Sequence, residues 1–407
     1  MTQDPSISPL SRGLSKQIEK FAAQERFHQF LILLMAGCLT TMTGGVVSPV
    51  LPEMVQQLDL DPKWAGTLVS VHALTSALMT PVMGIVADRV GKLRVMIPCL
   101  IFYALFGTAA AFITSFPLLL ATRGLLGAAS GGVAAATIGL LGSMYDGERR
   151  SRILGYATSV MTTSAIFFPL LGGWVGGSHW QYAFYLYALG IPLAALALIR
   201  LKEPQTLSGS LLELNQGQQL GKVLFKPAIL RLYLFITIAA VIVYAVVIYT
   251  PIYLKVAINA DPMLNGFVLA VRLVGAAIVS ALGASRLSRR MGPNGAIAFG
   301  FSLMALTVAT IPVLTNIYLI VATAILFGVG FGVITPNLYD ALAERSPSEV
   351  RASVLAIGTG FNSLGQFASP VLLGPIWKSV GLPWVFYVAG GIGMVAAVLS
   401  LTRQPTE

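Results

Sequence analysis

Apolar residues run along this chain in long, nearly unbroken blocks separated by short polar clusters. Each block is about 20 residues, enough for a helix rising about 1.5 Å per residue to cross a hydrocarbon core. Twelve such blocks are read at 28–52, 65–87, 94–113, 117–143, 153–176, 181–200, 229–254, 263–285, 294–313, 317–340, 351–376 and 382–401. Helices are the element they predict, because a spanning segment has no water to bond and must satisfy its own backbone. The predicted fold class is an all-α polytopic membrane protein with twelve transmembrane helices.

The pattern repeats. At an offset of 201, Arg89, Gly91, Glu148, Arg150, Pro169, Ala188 and Gly190 fall on Arg290, Gly292, Glu349, Arg351, Pro370, Ala389 and Gly391. Apolar matches arise by chance, but matched charges, glycines and prolines across several helices indicate duplication. The expected organisation is a cytoplasmic N-terminal tail (1–27), a six-helix bundle (28–200), a cytoplasmic linker (201–228), a second six-helix bundle (229–401) and a short cytoplasmic tail (402–407). Two pseudo-symmetric bundles related by an axis along the membrane normal put a binding site between them, near mid-depth. Within the tail, Leu14 to Phe27 is weakly amphipathic, and both a surface helix and disorder stay open.

Composition sharpens this picture. Charged residues are 10% of the chain and hydrophobic ones 56%, too few polar groups to cover a soluble surface. The net charge of +10 raises nucleic acid as a partner, but its distribution argues against it. Lysines and arginines gather in the N-terminal tail and at Arg89/Lys92/Arg94, Arg149/Arg150/Arg152, Arg200 to Arg231, Arg286/Arg289/Arg290, Arg345/Arg351 and Arg403. Only Lys63, Lys255 and Lys378 fall on the opposite side. That asymmetry places both termini in the cytoplasm of a multi-pass protein of the inner or plasma membrane. Cys38 and Cys99 lie in separate apolar blocks and suggest no disulfide framework.

After the second block comes Gly84-Ile85-Val86-Ala87-Asp88-Arg89-Val90-Gly91-Lys92-Leu93-Arg94. A carboxylate at a helix end can pair with cations and cap a neighbouring helix, latching the two. Gly84 would allow close approach and Gly91 a tight turn. This segment resembles the loop 2–3 signature of the major facilitator superfamily, and the resemblance covers essentially the whole chain. Gly45 to Pro52, Arg123-Gly124-Leu125-Leu126-Gly127 and Ala165 to Gly173 are similar to motifs of its twelve-span drug:proton antiporter branch. In the last, Ala165 and Phe168 replace two of the branch's glycines. The resemblance implies a major facilitator fold, with Gly84, Asp88, Arg89, Gly91, Lys92 and Arg94 at a cytoplasmic gate. Pro169, Gly172 and Gly173 suit a conformational hinge or tight static packing.

Ionisable groups at mid-depth are Arg123, Arg272 and His72, and these are the candidate substrate or cavity residues. For Arg123 the alternative is a bond to carbonyls of helix 1. A satisfied neutral role is the simpler one for His72, and Arg272 is read as a substrate contact. No carboxylate lies mid-span; Glu53, Asp88 and Asp340 come nearest.

The function expected is secondary active export of small amphipathic compounds by alternating access with proton coupling. A carrier of organic anions or metabolites working by uniport or symport is the alternative, and a non-transporting sensor a third. The partners expected are a small-molecule substrate, protons and the lipid bilayer, with no nucleic acid and the chain acting as a monomer. No enzyme activity, cofactor or metal is expected: His28, His72 and His179 sit on separate segments, and no phosphate-binding loop occurs.

Overall fold

The computed structural model describes residues 9–145, 147–203, 220–221 and 223–402. The tip of the N-terminal tail, most of the expected linker and the last five residues lie outside the described residues, so those parts of the expected organisation are not placed.

Among the described residues the chain forms twelve long helices and no strand. They are α1 (Phe27–Gln57), α2 (Pro62–Val90), α3 (Lys92–Phe112), α4 (Phe116–Met144), α5 (Gly147–Val175), α6 (Trp180–Arg200), α7 (Pro227–Ile258), α8 (Pro262–Leu282), α9 (Ala284–Val313), α10 (Ile317–Glu344), α11 (Arg351–Val380) and α12 (Leu382–Leu401). Eleven are long and apolar enough to cross a membrane by length and composition. The exception is α11, where Thr359, Asn362, Ser363, Gln366 and Ser369 dilute the apolar residues. Its 30 residues pack along α7 and against α2, so it completes the second bundle although its composition is more polar than expected.

Two boundaries differ from expectation. Helical backbone preceding α1 begins at Pro9, so the amphipathic stretch continues into the first span instead of forming a separate element. The first part of α9, 284–291, is helical as well and joins the rest of the helix across a kink at Gly292.

The duplication is written into the backbone. Gly91 (φ 119°) and Gly292 (φ 76°) occupy the same turn in each half, a left-handed conformation that glycine adopts without Cβ strain. Helices α2 and α8 both start with an Asp-Pro pair. The side chain of Asp61 accepts from Lys63 N (2.9 Å) and that of Asp261 from Leu264 N (2.7 Å), each capping its helix with proline in the first turn. Asp61/Asp261, Pro62/Pro262 and Gly66/Gly266 repeat at an offset of 200, not 201. The register slips by one before Gly91/Gly292, past the break at Gly283 that ends α8. His72 and Arg272 are therefore equivalent positions, whereas an offset of 201 would set Arg272 against Val71.

Packing follows the same symmetry. In the first half α4 lies against α2 and α3, and α1 against α5; in the second α10 lies against α8 and α9, and α7 against α11. The halves meet where α5 packs on α8 and α11 on α2.

Candidate functional site

Four glycines set the seam between the halves. A Cβ on Gly173 (α5) would collide with the Pro262 carbonyl of α8, and one on Gly266 (α8) with the Pro169 carbonyl of α5. The duplicate contact joins Gly374 of α11 to the Lys63 carbonyl, and Gly66 to Pro370. Pro169 and Gly173 thus form an inter-half contact, whereas Gly172 packs inside its own half on Val46 of α1.

Polar groups fasten the same end. Lys255 Nζ of α7 lies 3.3 Å from Glu53 Oε1 of α1, and Lys378 Nζ of α11 lies 2.6 Å from Asp61 Oδ2. Asn265 Nδ2, fully buried, donates to the Pro49 carbonyl across the seam (3.3 Å). Among the described residues, every hydrogen bond and ion pair that joins the halves falls at this end, opposite the basic loops; we call it the distal end. The Lys378 hydrogen bond holds the Asp61 carboxyl below the usual aspartate range, helped by the Lys63 backbone N–H. The lowered value means that this pair favours the closed end at neutral pH and gives way only as pH falls through the carboxylate range.

The opposite end carries the signature loop, and it departs from expectation. Asp88 is exposed and makes no hydrogen bond or ion pair with any described residue. The carboxylate that caps α3 is Glu203, from the segment after α6: Oε1 accepts from Lys92 N (2.6 Å) and Oε2 from Leu93 N (2.9 Å). Sequence reading placed Glu203 in the linker and missed it, because no spacing rule ties residues 111 positions apart. Arg89 and Arg94 are exposed, and the aliphatic stem of Lys92 lies over Gly139. The close approach expected at Gly84 is absent: a Cβ there would meet only Ala135 Cβ, at 4.0 Å.

At mid-depth the candidate residues separate. His72 reaches the seam, where its imidazole and the Tyr244 hydroxyl of α7 both border Gly44 of α1. Its Nδ1 is buried without a hydrogen-bond partner. Arg123 takes the alternative arrangement, bonded to carbonyls and a tyrosine inside its own half. It is 1% exposed; Nε donates to Leu68 O (3.1 Å), Nη1 to Tyr187 Oη (3.0 Å) and Nη2 to Thr43 O (2.5 Å). Tyr187 Oη in turn donates to the same Thr43 carbonyl (2.8 Å), so one arginine ties α1, α2 and α6. Arg272 borders a cavity lined by α7, α8, α9 and α10. The described residues contain no cluster of three or more His, Cys, Asp or Glu side chains able to hold a metal.

Comparison with known proteins places this geometry. The chain is 22% identical over 385 residues to the quinolone resistance protein NorA of Staphylococcus aureus, covering 92% of this chain and 96% of that one. It is 21% identical over 359 residues to the bacillibactin exporter of Bacillus subtilis, covering 86% and 89%. Among solved structures, the nucleoside transporter NupG superposes with a TM-score of 0.76 at 15% identity, over 91% of this chain and 98% of that one. An inward-facing bacterial homologue of the human lysosomal transporter Spinster gives 0.76 at 17%, over 93% and 95%. The family model described as Major Facilitator Superfamily matches residues 33–370 and 243–407. With a duplicated twelve-helix fold, halves joined at one end and a match to that model over nearly all its length, the chain belongs to the Major Facilitator Superfamily and is a membrane transporter, not an enzyme.

Proposed function

We propose that the protein exports small amphipathic compounds by alternating access, driven by protons. The observation that supports alternation is the one-sidedness of the seam, whose joining bonds among the described residues all lie at the distal end. The basic end, cytoplasmic by the positive-inside rule, holds Asp88 with no hydrogen bond or ion pair from its side chain to any described residue. In this reading the present state faces the cytoplasm. The Asp88 segment engages only after the distal end has opened. Export is favoured over import by the names of the two relatives, one a resistance protein and the other an exporter.

For the proton, Glu53 is the carboxylate best placed. Both its oxygens are buried at the seam, and among the described residues its ion-pair partner is Lys255. Asp261, heading α8, is the other charged group that acts on it. Protonation of Glu53 would release Lys255 and loosen the distal end. Asp61 is a poor carrier, since Lys378 keeps it ionised across the ordinary pH range.

The test is transport in proteoliposomes with an imposed pH gradient, across a zwitterionic quinolone, a catecholate anion and a cationic dye. Gradient-driven uptake of at least one of them is expected. No flux of any of the three, with the protein folded and inserted, contradicts the reading. In the same assay Glu53→Gln should abolish uphill, pH-driven uptake while leaving downhill exchange. Unchanged uphill uptake removes Glu53 from the coupling. Asp88→Asn should slow turnover about tenfold, from loss of one charge-assisted bond worth about 1.5 kcal/mol in the opposite state. Its melting temperature should hold, because the Asp88 side chain bonds no described residue. Parental turnover would show that the segment is no latch.

A further inference from the structure

Arg272 is 6% exposed and faces no acid among the described residues. Its single hydrogen bond, from Nη1 to Val243 O, is long at 3.4 Å, its Nε has no partner, and its guanidinium lies 5.7 Å from the Phe327 ring centroid. A guanidinium buried in an apolar bundle without a counter-charge is among the costliest arrangements a membrane protein can keep.

A cavity of about 30 Å³ adjoins it. Thr250, 4% exposed, also lines this space, and its hydroxyl has no hydrogen-bond partner, although in a helix it could have bonded its own backbone. Thr307, the other buried hydroxyl on the cavity, is already bonded to Leu303 O and Met304 O. The rest of the lining is largely aliphatic and aromatic, and no carboxylate borders it. The duplication explains the space. Arg123 fills the corresponding region of the first half, and at an offset of 201 its counterpart is Ala324, which lines this cavity.

Two buried donors and a full positive charge on one small cavity define the complement of an anion. The size limits which one. A water needs roughly 10–15 Å³ of such space, so the cavity admits one halide-sized ion and is too small for an amphiphilic substrate. Water could satisfy Nε but would leave the charge unpaired.

We propose that the C-terminal half binds one chloride-sized monovalent anion in the cavity lined by α7, α8, α9 and α10, held by Arg272 Nε and the Thr250 hydroxyl. The site lies inside one bundle and does not depend on the transport reading.

The test uses the purified full chain, with its melting temperature titrated by sodium chloride or sodium bromide against sodium gluconate at constant ionic strength. A saturable rise with both halides and none with gluconate is expected, with bromide anomalous density beside Arg272 in crystals. Thr250→Val keeps the shape and the guanidinium but removes one donor, and should weaken the halide midpoint at least fivefold. Arg272→Met should abolish the response; if that variant does not fold, Thr250→Val still decides. Equal melting temperatures in chloride and gluconate would mean that the cavity takes water only. An unchanged halide midpoint in Thr250→Val would place the anion elsewhere. Either result overturns the proposal.

Discussion

Gly173→Val is expected to leave a folded protein whose distal end cannot close. The valine side chain enters the space of the Pro262 carbonyl, a contact made only when α5 and α8 are together. Over-packing of this kind costs about 1–3 kcal/mol, and here it falls on one conformational state alone. The closed-distal population should drop by about 10- to 100-fold, since each 1.4 kcal/mol is tenfold. Gly374→Val should do the same from the duplicate contact with the Lys63 carbonyl. The check is labelling of a cysteine placed at Asn265, which is fully buried in the seam. A membrane-impermeant maleimide added from the distal side should reach it much faster in either valine variant than in the parent. Equal labelling with normal turnover would show that the glycines are static packing and that the halves do not separate there.

Arg123→Leu is expected to fail by a different route, in folding. Three charge-assisted bonds end on Leu68 O, Thr43 O and Tyr187 Oη in a fully buried site. A buried bond to a charged group contributes about 1.5–3 kcal/mol, so losing the set should cost at least about 3 kcal/mol. Arg123→Lys should recover little of it, because one ammonium cannot span three acceptors on α1, α2 and α6. Thermal melting of the detergent-purified variants, with yield from membranes, measures this. A variant as stable as the parent that has lost transport would restore the substrate role to Arg123.

The fold was legible in the sequence because lipid leaves few choices. Apolar blocks of about 20 residues, charges gathered on one side and a repeated Gly-Pro-Arg register each reflect a constraint acting along the chain. The seam was partly legible: Pro169 and Gly173 stood out, and their duplicates Pro370 and Gly374 do the same work on α11 and α2. What stayed hidden depends on side chains meeting across long separations. The partners of Arg123 lie 55 to 80 positions away, and no pattern shows whether an arginine at mid-depth finds carbonyls or a cavity. The cap by Glu203 and the bridge from Glu53 to Lys255 were invisible for the same reason. The slip from 201 to 200 had a signal, the two Asp-Pro pairs, which would have matched His72 with Arg272.

The central claim is that the distal end is a gate that opens and closes. Spin labels on cysteines at Gln56 of α1 and Ser379 of α11, both exposed and in opposite halves, report it directly with Cys38 and Cys99 replaced by serine. Dipolar distances in lipid nanodiscs should show two populations, a shorter one matching the closed end described here and a longer one. The longer should grow as pH falls through the range that protonates Glu53, and Glu53→Gln should remove that dependence. A single short separation at every pH and with every compound tested would mean that the distal end never opens, and the account of transport by this protein would be wrong.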